Sequence, residues 1–211
     1  ILISYIIIPM ISVFTIILII YIIRNIGGKF WTDNLLEPML VSYSITVILL
    51  YILSSRLENR FAVFFRRVFP KVLVPIVLFQ IASSVMSLAD TGITHTRYYV
   101  ILFGIFAAAA GILLSIIPVR KNGVIAAMLI GFAFVSIVPP ADAFTISRIS
   151  QTDILKTVLL KNNMIENNII RPNTSIPEED KKKIAKAIRY LSMMGYTGRI
   201  EWLPKDFVIY E

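Results

Sequence analysis

The chain has no cysteine and one histidine among its 211 residues. The first absence excludes disulfides, thiolate metal sites and cysteine nucleophiles. The second leaves His95 without ligand-spaced partners, so no metal site is expected around it. Charge is scarce as well. Asp, Glu, Lys and Arg make up 16% of the chain, against about 25% in an ordinary soluble domain. No ionisable side chain stands in the middle of a long apolar run, which argues against a proton-driven carrier there. Glu37, near the start of one run, is the exception. Nucleophile elbows, zincin helices, phosphate-cradling glycine loops and paired carboxylates within an apolar run are all missing. No catalytic residue and no cofactor is therefore expected. The chain also lacks an initiating methionine and begins at Ile1 inside an apolar run, so further helices are expected upstream.

What the chain has in abundance is apolar surface. Hydrophobic residues make up 57% and the mean hydropathy is +0.78. Five runs approach the ~20 residues that cross a hydrocarbon layer of about 30 Å. They cover residues 1–23, 35–55, 72–89, 98–119 and 124–140. The first is rich in β-branched isoleucine, yet in lipid the backbone must satisfy its own hydrogen bonds, so helix is expected throughout. Pro9 is expected to kink it, and Pro139-Pro140 to end the fifth run. In the fourth, Gly104, Ala107, Ala108, Gly111 and Ser115 recur at spacings that let helix backbones approach closely.

Between the second and third runs lies a basic aromatic stretch, Arg56 to Lys71. It carries Arg56, Arg60, Arg66, Arg67 and Lys71 against one acid, Glu58. Phe61, Phe64, Phe65 and Val68 recur at i, i+3, i+4 and i+7, which predicts an amphipathic helix lying in the membrane interface among anionic headgroups. The linker 24–34 carries Phe30 and Trp31, suited to an interfacial aromatic belt. The loops 56–71 and 120–123 hold seven Lys/Arg, and the alternate loops 24–34 and 90–97 hold three. That asymmetry puts the basic stretch in the cytoplasm and the tail outside.

After residue 144 the composition changes. Residues 1–141 hold 10 Lys/Arg and 4 Asp/Glu, while residues 142–211 hold 11 and 9. The basic residues flank apolar runs or mix with acids, and neither pattern makes a nucleic-acid stripe. An amphipathic helix is predicted over 145–163 on Ile149, Ile154, Leu155, Val158 and Leu159, ending at Asn162-Asn163. An extended or turn segment follows. A second helix is predicted with a Thr174 or Ser175 cap, acids in its first turn, an Ile184–Ala187–Ile188–Leu191 face, and Gly195 at its end. The end of the chain reads as strand-like around Pro204. The expected architecture is an all-α membrane region over 1–144, with about five spans and a basic interfacial helix, then a small extracytoplasmic α+β domain over 145–211.

Two pieces carry a family resemblance. One is FRRVFPKVLVPIVLFQ, followed by Gly92-Ile93-Thr94, Arg97 and Tyr98. The other is Ala143-Phe144, Ser147-Arg148 and Ser150-Gln151. In this order they resemble the bacterial multi-pass membrane family known as domain of unknown function 4153, over roughly residues 55–195. Thr91 stands where that family's pattern has an aromatic, and Thr145 where it has serine. The resemblance implies a bacterial inner-membrane protein and no assigned activity.

Candidate sites follow from these placements. Asp90, His95 and Arg97 lie in one short link, and Asp142 and Arg148 at the exit of the last run. They form a candidate exterior polar site, with Asp90–Arg97 and Asp142–Arg148 as possible ion pairs. Gln80, Ser84 and Ser87 share one helix face. That face is either interhelical packing or the lining of a substrate path. The reading is a non-enzymatic envelope protein whose exterior domain binds a partner, with a transporter or lipid-handling component as the alternative.

Overall fold

The computed structural model describes residues 2–25, 36–118, 122–166, 169–173 and 175–203. The linker aromatics Phe30 and Trp31, the turn at 119–121, Thr174 and the segment around Pro204 lie outside the described residues. The chain falls into two compact units. One joins Ile1–Met86 with Tyr99–Ser136, and the other joins Ser87–Tyr98 with Ile137–Glu211.

The first unit is helical. A π-helical turn, Ile3–Ile7, leads into α1 (Ile8–Asn25). That turn ends just before Pro9, which has no N–H to continue the usual ladder. Then come α2 (Leu36–Leu53), α3 (Arg60–Thr91), α4 (His95–Ile116) and α5 (Gly123–Ile137). Three stretches are long and apolar enough to cross a membrane: Ile3–Arg24, Arg60–Leu88 and His95–Ile116. Glu37–Leu53 and Gly123–Ile137 are shorter apolar helices. On α1 the residues Met10, Val13, Ile17 and Ile20 are all exposed at helical spacing, and Ile6 of the preceding turn continues the row. An apolar face of that length suits lipid far better than water.

The core of this unit is formed by Phe65, Phe69, Leu73 and Val77 of α3, with Tyr43, Val47 and Tyr51 of α2 and Phe106, Ala107 and Ala110 of α4. The small residues of α4 act as expected. A Cβ on Gly104 would stand 2.8 Å from Ile81 Cγ1, and one on Gly111 2.9 Å from Val74 Cγ2. As α4 advances from 104 to 111, its contacts on α3 step back from 81 to 74, so the two helices pack antiparallel.

The basic stretch differs from its expectation in two ways. It is not a separate interfacial helix, because residues 60–71 are the opening turns of α3, which runs unbroken through Pro70 and Pro75. A helix of 32 residues is about 48 Å long, well beyond a hydrocarbon layer of about 30 Å. Its first turns therefore need no break to reach the polar zone. The apolar face also divides between the core and the outer surface. Ala62, Phe65 and Phe69 are buried, whereas Phe61 and Phe64 are exposed, and Phe61 packs edge-on against Tyr5. Periodicity marks the apolar residues but not which of them meets the protein core.

The second unit contains α6 (Ala143–Lys161), α7 (Glu178–Met193) and a short antiparallel ladder, β1 (Ile165–Glu166) with β2 (Ile169–Ile170). A 3-10 turn, Thr197–Arg199, follows α7. Leu155 and Leu159 of α6 meet Ala187 and Leu191 of α7, and Tyr196, Ile200, Trp202 and Leu203 close the same core. Ile149, expected on the apolar face of α6, is exposed.

Both helices end as the Asn and Gly signals imply. Asn163 (φ 52°) and Gly195 (φ 67°) are left-handed. Each is followed by a residue whose N–H reaches back into the last turn: Met164 to Leu159 O at 2.8 Å, and Tyr196 to Leu191 O at 2.8 Å. This is the Schellman arrangement, which satisfies carbonyls that the helix end leaves open. The start of α7 differs from its expectation. Pro177 takes the cap position without a side-chain bond, and Ser175 is instead held by its own N–H donating to Asn173 Oδ1. Asp180, buried in the first turn of α7, accepts from Asn162 and from Lys161 at 2.9 Å. These bonds, Asn162 first and Lys161 second, hold its carboxyl below the usual aspartate range.

Candidate functional site: the joint between loop 92–94 and α6

Within the second unit, three residues without regular structure, Gly92 to Thr94, separate α3 from α4. The Gly92 N–H still donates to Leu88 O and Thr94 O accepts from the Tyr98 N–H, but the N–H and C=O of Ile93 find their partners on α6. Ser150 Oγ accepts from the Ile93 N–H at 3.0 Å. Gln151 Nε2 donates to Thr91 O at 2.8 Å and to Ile93 O at 3.3 Å. Gln151 is buried, which makes such bonds obligatory rather than optional. Gly92 is left-handed at φ 66°, and a Cβ there would fall 2.1 Å from Ile154 Cδ1 and 2.9 Å from Gln151 Nε2. Only glycine allows the loop to sit this close.

The remaining motif residues support the same joint. Arg97 donates from Nη1 to Ser87 O at 2.8 Å and also to Thr91 Oγ1. Thr91 in turn donates to Ser87 O at 2.9 Å. The guanidinium thus closes the C-terminal end of α3, where open carbonyls favour a cation. Tyr98 donates its hydroxyl to Ala141 O. Asp142 caps α6, its Oδ1 accepting from the N–H groups of Phe144 (3.0 Å) and Thr145 (2.9 Å). The Thr145 side-chain and backbone bonds hold the Asp142 carboxyl below the usual range. Asp142 Oδ2 is buried and has no hydrogen-bond partner among the described residues. Thr91 and Thr145, the two departures from the family pattern, therefore both sit inside hydrogen bonds of the joint.

His95 lies between two rings, stacked on Phe144 at 6.1 Å and on Tyr190 at 5.9 Å. Its backbone N–H donates to the Tyr190 hydroxyl oxygen at 3.0 Å, and its Nδ1 lies 3.0 Å from that same oxygen. Its Nε2 lies 3.4 Å from Thr96 Oγ1. His95 is thus positioned and clamped between aromatic rings.

The structure gives three residues of the expected exterior polar site separate tasks. His95 is clamped, Arg97 closes α3 and Asp142 caps α6. Among the described residues no hydrogen bond or ion pair joins these residues to one another or to Arg148. Arg148 instead lines a shallow cavity with Arg199. The Asp90 side chain lies outside the described residues. Tyr190, Ser150 and Gly92 are central to the joint. The family motifs contained the last two, but no local signal marked Tyr190.

In the first unit, Gln80 and Ser84 are buried as expected for a polar face. Ser84 donates to Glu37 Oε1 of α2 at 2.8 Å. Gln80 Nε2 points to Val100 O at 3.4 Å, and Gln80 Oε1 is buried without a partner among the described residues. Ser87, third on the expected face, belongs to the second unit, where its carbonyl serves Arg97. Of the basic residues, Arg56, Arg60, Arg67 and Lys71 are exposed. Arg66 is turned back, donating to Leu57 O at 2.8 Å and to Ser54 O. It ties the end of α2 to the first turns of α3.

With both motifs placed, the comparison with known families is direct. The family model described as "Domain of unknown function (DUF4153)" matches residues 1–168. The chain belongs to the DUF4153 family. The match extends to the first residue, beyond the resemblance seen from residue 55, and it stops before α7. In this DUF4153 chain the two signature pieces are therefore partners in space: the Gly-Ile-Thr-x-x-Arg-Tyr piece forms the loop and α4 start, and the Ser-Gln of the second piece holds that loop. No curated protein and no solved structure matches the chain.

Proposed function

We propose that this DUF4153 chain is a five-span bacterial inner-membrane protein whose C-terminal unit lies outside and binds an envelope component without catalysing a reaction. The observation behind this reading is the use made of the motif residues. Gly92, Arg97, Ser150 and Gln151 spend their polar groups and close contacts on backbone held at the ends of α3 and α4. Residues used this way give rigid positioning, and function then falls to surfaces carried by α6 and α7. The excess of Lys/Arg in loops 56–71 and 120–123 supports the exterior placement. Because the chain has no cysteine, single Glu58→Cys and Ser192→Cys variants test it. A membrane-impermeant maleimide should label position 192 in intact cells and position 58 only after lysis. The reverse pattern rejects the placement.

The Glu37–Ser84 contact favours a second reading, a proton- or cation-coupled carrier. It gives the polar face of α3 an ionisable partner on a neighbouring helix, and intramembrane carboxylates commonly mark ion paths. In proteoliposomes with an imposed membrane potential, Glu37→Gln should then abolish proton flux read by a trapped pH dye. Flux that is absent in the unaltered protein, or unchanged in the variant, reduces this contact to interhelical packing.

A further inference from the structure

The second unit carries a charged cavity that the motif joint does not use. It has a volume of about 310 Å³ and is lined by Arg148, Ile149, Thr152 and Asp153 of α6 with Arg199 and Ile200 of the turn after α7. The lining is ordered by the fold. Arg148 and Thr152 are four residues apart, as are Ile149 and Asp153, so the four form adjacent rows on one helix surface. Arg199 is positioned by its turn: its N–H donates to Tyr196 O at 3.0 Å, and the next residue, Ile200, is buried with Trp202 and Leu203 against Leu155 and Leu159. The two guanidiniums therefore reach the cavity from two elements locked by one core.

Neither arginine has an ion-pair partner among the described residues. Among the described residues the ion pairs are Lys161–Asp180, Arg171–Glu166, Lys181–Glu178 and Lys183–Glu179, and none involves Arg148, Arg199 or Asp153. Burial pushes the Tyr196 phenol up, and Tyr190 adds to this. Arg148 and Arg199 both pull it back, so their fields overlap beside that ring.

Two unpaired guanidiniums beside one carboxylate form a lining that is doubly positive at one set of groups and negative at another. Guanidinium pairs hold phosphate oxygens in bidentate fashion, and a carboxylate accepts from an ammonium. The volume falls at the small end of ligand sites. We propose that this cavity binds an aminoalkyl phosphate of the phosphoethanolamine type, with Arg148 and Arg199 on the phosphate and Asp153 on the ammonium. The proposal rests on reading the C-terminal unit as a binding module. Its ligand chemistry occurs both in a phospholipid head and in the free monoester.

The test uses the full chain in a phosphate-free maltoside detergent. The chain has two tryptophans, Trp31 and Trp202. A Trp31→Phe background leaves Trp202, two residues from the cavity-lining Ile200, as the reporter. Titration with O-phosphoethanolamine and with short-chain phosphatidylethanolamine should give saturable fluorescence changes. Tighter binding of the lipid assigns the site to a membrane head, and tighter binding of the monoester assigns it to a soluble ligand. Arg199→Gln lies on an exposed turn and should leave the near-ultraviolet circular dichroism unchanged. It should weaken binding at least about tenfold, equivalent to about 1.4 kcal/mol. Asp153→Asn should weaken phosphoethanolamine binding while sparing inorganic phosphate. Unchanged affinity in the Arg148→Gln/Arg199→Gln double variant overturns the site, and glycine binding as tightly as phosphoethanolamine overturns the phosphate assignment. Cysteine labelling reports placement alone, so a failure there and a failure here are separate results.

Discussion

Gly92→Ala should lower the stability of the C-terminal unit by about 2–4 kcal/mol. One part is conformational, since a left-handed backbone costs a residue with a Cβ about 1–2 kcal/mol. The other part is steric. The new methyl would fall 2.1 Å from Ile154 Cδ1 and 2.9 Å from Gln151 Nε2, and overpacking of this kind costs about 1–3 kcal/mol. The Ile154 methyl can rotate away. The Gln151 amide cannot move without releasing the carbonyls of Thr91 and Ile93, each about 1–3 kcal/mol if left buried and unbonded. Thermal unfolding followed by Trp202 fluorescence in detergent measures the effect. Combining Gly92→Ala with Ile154→Ala should cost less than the two single changes added, because they share one contact. A melting point within about 2 °C of the unaltered protein would mean that the loop does not sit against α6.

Gly111→Leu should separate α3 from α4 and cost the membrane unit about 2–4 kcal/mol. A Cβ there already stands 2.9 Å from Val74 Cγ2 and 3.1 Å from Pro70 O. The second neighbour is backbone and cannot turn aside, so the leucine forces the helices apart and forfeits contacts around Leu73 and Ala107. Gly111→Ala is the informative control. Alanine gains about 0.5–1 kcal/mol of helix propensity over glycine, so its net loss should be much smaller than that of leucine. Resistance to unfolding by SDS in mixed micelles ranks the three proteins. Equal resistance for glycine and leucine would show that this helix pair is not closely packed.

Much of the framework was legible without coordinates, for reasons that differ by region. The helices of the first unit follow from length and hydropathy, because an apolar backbone in lipid has nowhere else to place its hydrogen bonds. The ends of α6 and α7 follow from Asn163 and Gly195, since left-handed residues there are set by local sterics. The small residues of α4 announced a close helix contact. The orientation of the basic stretch was not legible. Periodicity marks Phe61, Phe64 and Phe65 as apolar, but which of them meets the core depends on where α2 and α4 pack. Arg66 shows the same limit: it looked like one more headgroup cation, yet it binds carbonyls of the preceding turn.

The candidate site divides in the same way. Sequence supplied its residues, because Gly92, Arg97, Ser150 and Gln151 stand in two recognisable pieces. It could not supply their pairing. The Ile93–Ser150 bond joins positions 57 apart, and no periodicity reaches that far. The Tyr190–His95 contact joins positions 95 apart, and the cavity of Arg148 and Arg199 exists only because the turn after α7 folds back on α6. By itself, then, the sequence determined a helical, lipid-compatible chain, its helix ends and its family, all consequences of local sterics and of the solvent around each segment. Only the tertiary structure decided that the two motif pieces are one joint, that Glu37 meets Ser84, and which arginines remain unpaired, because each depends on long-range packing that brings distant backbone and charge together.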